Sequence, residues 1–189
     1  MGLAVINSRA LLGMAAPRVT VEVHLSAGLP SFNIVGLPET EVKESKDRVR
    51  SAIQNAQLEF PAKRITVNLA PADLPKTSGR FDLPIALGIL IASGQLQVKY
   101  LDQYEFAGEL SLSGELRPIT GALAMTYGIV NERKGGADGV LMEPIVVLPQ
   151  ASCAEAALIQ GAKVWSARSL LEVCAKLRAL RLDIARELG

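Results

Sequence analysis

The sequence predicts a mixed α/β domain, and three observations carry that expectation. Apolar residues alternate at period two in "RVTVEVHLS" (Arg18 to Ser26), a stripe of helical period follows from Glu39 to Leu58, and the tail repeats strand, helix, strand, helix. The chain has 189 residues, 49% of them hydrophobic, which is ample for a packed core. Its 20 Lys and Arg nearly cancel its 19 Asp and Glu, so any charged function has to be local.

The elements follow in order. "MGLAVINSRALLGMAAP" lacks the basic region, long apolar core and cleavage site of a secretory signal, so a cytoplasmic location is expected. In "RVTVEVHLS" the valines Val19, Val21 and Val23 face one way with Leu25. His24, the single histidine, faces the other way as a surface residue. "SFNIVGLP" (Ser31 to Pro38) reads as a second strand, joined to the first as a hairpin through Ala27-Gly28-Leu29-Pro30.

From Glu39 to Leu58, Val42, Ser45, Val49, Ala52, Ile53 and Ala56 line one helical face. Lys43, Lys46 and Arg50 share another face, diluted by Glu44 and Asp47. That face is either simply solvated or a ridge that contacts phosphates. "KRITVNLAP" (Lys63 to Pro71) is the next strand. After it, "LPKTSGRFDLPIALGILIASG" passes from a basic turning loop into a helix apolar on all sides, which must be buried. Asp82 suits the N-cap and Pro84 the first turn. The apolar run Leu83 to Ala92 is about half the roughly 20 residues that a bilayer-spanning helix needs, so no membrane partner is expected.

"EFAGELSLSGELRPI" (Glu105 to Ile119) reads as a second hairpin turning near Ser113-Gly114, with a helix from Gly121 to about Glu132 and a mobile loop at "KGGADG" (Lys134 to Gly139). "IVVLP" and "KVWSA" are strands, each followed by a helix, which suggests parallel pairing with crossover connections. Cys153 and Cys174 have no metal-like spacing and read as buried, reduced thiols, so no metal site is expected.

The chemistry begins with what is missing. Gly never precedes Lys, so the phosphate loop G-x-x-x-x-G-K-[ST] is absent, and no cofactor is expected in this chain. A Ser-His-Asp triad would have to use His24, which nothing ties to a nucleophile. A Ser-Lys dyad within the loop would draw on Lys76, Thr77 and Ser78, yet neighbours in one loop rarely align a base on a nucleophile.

The stretch from "LSAGLPSFNIVGLPETEVKESKDRVRSAIQ" through "PADLPKTSGRFDLPIALGILIASG" and "GELSLSGELRPITGALAMTYG" resembles the N-terminal domain of the ComM/YifB family, magnesium-chelatase-like AAA+ ATPases. The resemblance implies a Lon protease proteolytic-domain-like fold, similar to the second domain of a ribosomal protein, with mixed sheets and packed helices. It implies a domain over residues 1–180 and, over 181–189, the start of a linker to an AAA+ motor that this chain lacks. It further implies hexamers that drive DNA branch migration in natural transformation, with ATP and Mg bound by the motor.

In the protease, a segment like Pro-Lys-Asp-Gly-Pro-Ser precedes the buried helix and ends on the nucleophile. Here "PKTSGR" fills that frame and puts Arg80 in the serine's place. The protease's lysine follows a Pro-Ile-Gly-Gly-Leu segment; "PITGAL" leaves Leu123 there. The resemblance thus implies a site without either half of the dyad, and no catalytic residue. Arg80 then either contacts an anion or pairs with Asp73 or Asp82. RadA-type recombination proteins carry a similar non-proteolytic domain.

Three functions follow as alternatives: an assembly and DNA-guiding domain, a Ser-Lys peptidase, or an adaptor for a protein partner. For the first, the DNA-contacting candidates are Lys43, Lys46, Arg50, Lys63, Arg64, Lys76 and Arg80. Binding by one domain would be weak, to branched, single-stranded or double-stranded DNA.

Overall fold

The computed structural model describes residues 2–134 and 143–187 and is built on a seven-stranded sheet. The strands are β1 (Gly2–Arg9), β2 (Arg18–Ser26), β3 (Ser31–Val35), β4 (Arg64–Ala70), β5 (Tyr104–Phe106), β8 (Ile145–Pro149) and β9 (Lys163–Ala167), in the spatial order β3-β4-β2-β1-β5-β8-β9. Six of them run the same way and β2 alone opposes them. A two-stranded ribbon, β6 (Glu109–Leu110) with β7 (Leu116–Arg117), stands apart. The mixed α/β expectation holds.

The middle strand, β1, has no counterpart in the sequence reading. Ala4, Ile6 and Ser8 point into the core while Leu3 and Val5 stay exposed, so apolar residues occupy both faces and period two is lost. β1 and β2 form a true hairpin, paired from Gly2 opposite Leu25 to Arg9 opposite Arg18.

The expected hairpin of β2 with β3 is not formed. β4 lies between them, antiparallel to β2 and parallel to β3. Alternation reports which face of a strand is buried but not which edge finds a partner. The connection from β3 to β4 runs through the stripe helix, as parallel neighbours require. That helix is interrupted: α1 (Thr40–Lys43) stops before Glu44, and α2 (Ser45–Asn55) continues. Val42, Ser45, Val49, Ala52 and Ile53 are buried as the stripe predicts.

α3 (Asp82–Ala92) is the apolar helix, with every residue from Asp82 to Leu90 buried. It packs across β1 and β2 so closely that a Cβ on Gly88 would stand 2.4 Å from Val23 Cγ2. Asp82 is not the N-cap. A short 3-10 turn, Gly79–Phe81, leads into the helix and leaves the Asp82 carboxylate free to reach other segments.

The second expected hairpin divides. Tyr104–Phe106 joins the large sheet beside β1, and only β6 and β7 form the ribbon, turning at Gly114 with φ 92°. α4 (Ala122–Lys134) follows where the helix is expected. Residues 135–139 of the expected "KGGADG" loop lie outside the described residues. β8 and β9 pair in parallel across α5 (Cys153–Ala156), and α6 (Leu170–Glu187) runs past residue 180. Cys174 is buried, but Cys153 is only half-buried, and both are free thiols.

Candidate functional site

The loop ahead of α3 is stitched down before it turns. The Lys76 amide donates to the Leu37 carbonyl at 3.3 Å, and the Glu39 amide donates to the Lys76 carbonyl at 3.0 Å. The Lys76 side chain is fully buried; its Nζ donates to the Gly36 carbonyl at 2.6 Å and to the Pro71 carbonyl. Burial holds the Lys76 ammonium below its usual value, with Asp73 pulling the other way. No hydrogen bond joins Lys76 to Ser78 among the described residues. Ser78 is exposed and has a φ of 67°, a left-handed conformation that costs a residue with a Cβ about 1–3 kcal/mol. Its hydroxyl accepts from the Arg80 amide at 3.4 Å.

Arg80 turns inward. Only 2% of it is exposed, and neither Asp73 nor Asp82 pairs with it. Its Nη1 donates to the Thr120 carbonyl at 2.9 Å, its Nη2 lies 3.7 Å from Met125 Sδ, and its Nε has no partner. The guanidinium thus spans from the 3-10 turn to the first turn of α4, the segment that carries Leu123. Burial lowers its pKa from the ordinary arginine value to about 10. Asp82 is taken by Arg48 and no acid pairs with Arg80 among the described residues, while its burial sets aside an anion contact at the surface. Leu123 itself is partly exposed at 36%, and its amide donates to Glu155 Oε1 at 3.0 Å.

Asp82 belongs to a different cluster. Its buried carboxylate accepts from Arg48 Nε at 2.7 Å and Nη2 at 3.1 Å, from the Leu110 amide at 3.0 Å and from Ser45 Oγ. These bonds tie α2, α3 and β6 together. Burial pushes the Asp82 carboxyl up while Arg48, Ser45 and the Leu110 amide pull it back.

The remaining candidate cations are on the surface. Lys43, Arg50, Lys63 and Arg64 are exposed and Lys46 is half-exposed. Arg50 Cζ stands 4.6 Å over the Phe60 ring, and Phe60 stacks on the buried Phe32 at 5.8 Å between centroids. Among the described residues, none of these five cations makes an ion pair.

Comparison with known proteins adds the family. A family model described as subunit ChlI of Mg-chelatase matches residues 21–143, which hold most of β2, then β3, β4, the loop, α3, β5 and α4. The chain belongs to this ChlI family. It is 48% identical over all its 189 residues to the competence protein ComM of Haemophilus influenzae, and 49% identical over 178 residues, 94% of the chain, to YifB of Escherichia coli. A Mycobacterium bovis relative is 34% identical over 178 residues. The ChlI-family chain spans about a third of the length of these relatives: 35%, 33% and 34% respectively.

Within this ChlI-family chain, two polar assemblies escaped the sequence reading. Arg48, between Lys46 and Arg50 in the sequence, is the cation that the Asp82 carboxylate at the head of a buried helix calls for. Arg9, 2% exposed, donates to Glu105 Oε1 at 2.7 Å and Oε2 at 3.0 Å, to Glu132 at 2.5 Å and to the Ala16 carbonyl at 3.3 Å. Arg18 closes this cluster on Glu132 at 2.9 Å. No local signal could have joined residues nearly a hundred positions apart. Among the described residues, no group of three or more metal-ligating side chains converges, and no helix is long and apolar enough to cross a membrane.

Proposed function

We propose that this ChlI-family chain is a non-catalytic domain of a ComM-type, cytoplasmic, hexameric AAA+ ATPase, serving ring assembly and guiding DNA during branch migration. One observation carries the non-catalytic half: Arg80, in the frame where a Lon-type nucleophile would stand, is buried and anchored on the Thr120 carbonyl at 2.9 Å. A guanidinium cannot attack a carbonyl carbon, and Leu123 offers no base. ATP and Mg belong to the motor, beyond this chain.

The DNA-guiding half draws its support from Lys43, Lys46, Arg50, Lys63 and Arg64, which make no ion pair among the described residues. Lys76 and Arg80 drop out of the contact set because both are buried. With about 3 or 4 phosphates neutralised, log affinity falls against log salt with a slope of about −3. Six copies in a ring would add to weak single contacts, because each later one is effectively intramolecular.

Fluorescence anisotropy of the 189-residue chain on labelled branched and duplex DNA at low salt tests the reading. The triple change Lys43→Ala, Lys46→Ala, Arg50→Ala flattens the salt slope, and Arg80→Met leaves it unaltered. Binding that is absent, or indifferent to the triple change, removes DNA guidance and favours an adaptor for a protein partner.

A further inference from the structure

Phe32, Phe60 and Arg50 form a column that climbs from the core to the surface. Phe32 is 8% exposed on β3 and fixes the Phe60 ring, whose plane lies 24° from its own at 5.8 Å. Phe60 in turn carries the Arg50 guanidinium at 4.6 Å from its centroid. The top layer is therefore a planar cation that is positioned from below and exposed above.

What sets Arg50 apart is that it stands over an aromatic ring with, among the described residues, no carboxylate or carbonyl claiming it. Arg48 is committed to Asp82, Arg18 to Glu132, Arg168 to Gln150 and Arg178 to the Gln95 carbonyl. Arg50 makes no hydrogen bond or ion pair among the described residues, so its N–H donors and its outer face are available together. A guanidinium already held over an aromatic ring gives up little side-chain freedom when a second flat group settles on it. Lys63 and Arg64, exposed at the start of β4 and a few residues beyond Phe60, supply cations for the adjoining backbone phosphates.

We propose that Arg50 on Phe60 is a stacking platform for unpaired nucleobases, so that the site takes single-stranded DNA in preference to duplex. In a duplex the base faces are covered by their neighbours and only edges and phosphates are offered; an unpaired base presents its face. Stacking of this kind tolerates any base. The proposal rests on the DNA-guiding reading and names its substrate.

Binding of the 189-residue chain to three 20-nucleotide probes tests it: a single-stranded oligothymidine, an abasic strand of the same phosphate count, and a duplex. Arg50→Lys keeps the charge and removes the plane; Phe60→Leu keeps the charge and removes the support. Each variant is expected to weaken oligothymidine binding by about fivefold or more, the low end of what one stacked base contributes. Binding to the abasic strand and to duplex stays within twofold, and the salt slope is unchanged. Circular dichroism of each variant verifies that the fold is retained. If the wild type binds the abasic strand as well as oligothymidine, or Arg50→Lys costs nothing on oligothymidine, the platform is refuted while DNA guidance stands. If no probe binds in a salt-dependent way, the DNA-guiding reading fails and the platform fails with it.

Discussion

Arg80→Met removes a cation that is 2% exposed and meets no carboxylate among the described residues. Burial lowers its pKa from the ordinary arginine value to about 10, and that lowering reflects the penalty on the charged form. At about 1.4 kcal/mol per tenfold in protonation constant, that penalty is about 3 kcal/mol at neutral pH. Against it stands the hydrogen bond to the Thr120 carbonyl, which contributes about 1 kcal/mol and whose acceptor can turn to water because Thr120 is exposed. Methionine fits the same apolar space beside Met125. The variant should therefore be more stable by about 2 kcal/mol, or about 4–8 °C in Tm for a domain of this size. Urea denaturation followed by circular dichroism, with an unchanged m value, reads it directly. The pH dependence has a definite sign. Above about pH 10 the folded chain gives up the Arg80 proton that the unfolded chain still holds, so wild-type stability rises with pH there. The advantage of the variant should shrink as pH passes 10, while other alkaline titrations cancel between the two proteins. A variant less stable than wild type by 1 kcal/mol or more would mean that the span from the 3-10 turn to α4 outweighs the cost of burial, and the reasoning would fail.

Arg48→Ala should cost about 3–5 kcal/mol near neutral pH, because it leaves the Asp82 carboxylate buried without its cation. That loss should lessen as pH falls toward the ordinary carboxylate value of 3.8, since a protonated Asp82 needs no counter-ion; a loss independent of pH would contradict the assignment. Gly88→Ala should destabilise by about 1–3 kcal/mol in the same denaturation assay, because its Cβ would press on Val23 at 2.4 Å; an unchanged midpoint would show that α3 is not seated so closely. Burial raises the Cys174 pKa to about 11, so a thiol reagent at pH 8 should leave it unlabelled until the protein unfolds, with half-buried Cys153 reacting first. Finally, the purified chain should not cleave peptides, and turnover abolished by Ser78→Ala would overthrow that expectation.

The sequence by itself determined the local shapes. Period two at Val19, Val21, Val23 and Leu25 was enough for a half-buried strand, and an uninterrupted apolar run after Asp82 was enough for a fully buried helix, because both patterns are properties of one segment facing one environment. The parallel order of the tail was legible for the same reason, since short strands separated by helices leave few other connections. The absence of a phosphate loop needed no structure at all. Pairing and burial of polar groups were different. Nothing in β2 or β3 announces that β4 will lie between them, because a strand's edges carry the same backbone groups whatever its neighbour. Nothing in "TSGR" announces that Arg80 turns inward to α4, or that Arg48, rather than Arg80, finds Asp82. A cation in a loop reads as surface until the tertiary structure decides which carbonyls and carboxylates come within reach, and that decision is made by the packing of segments far apart in the chain.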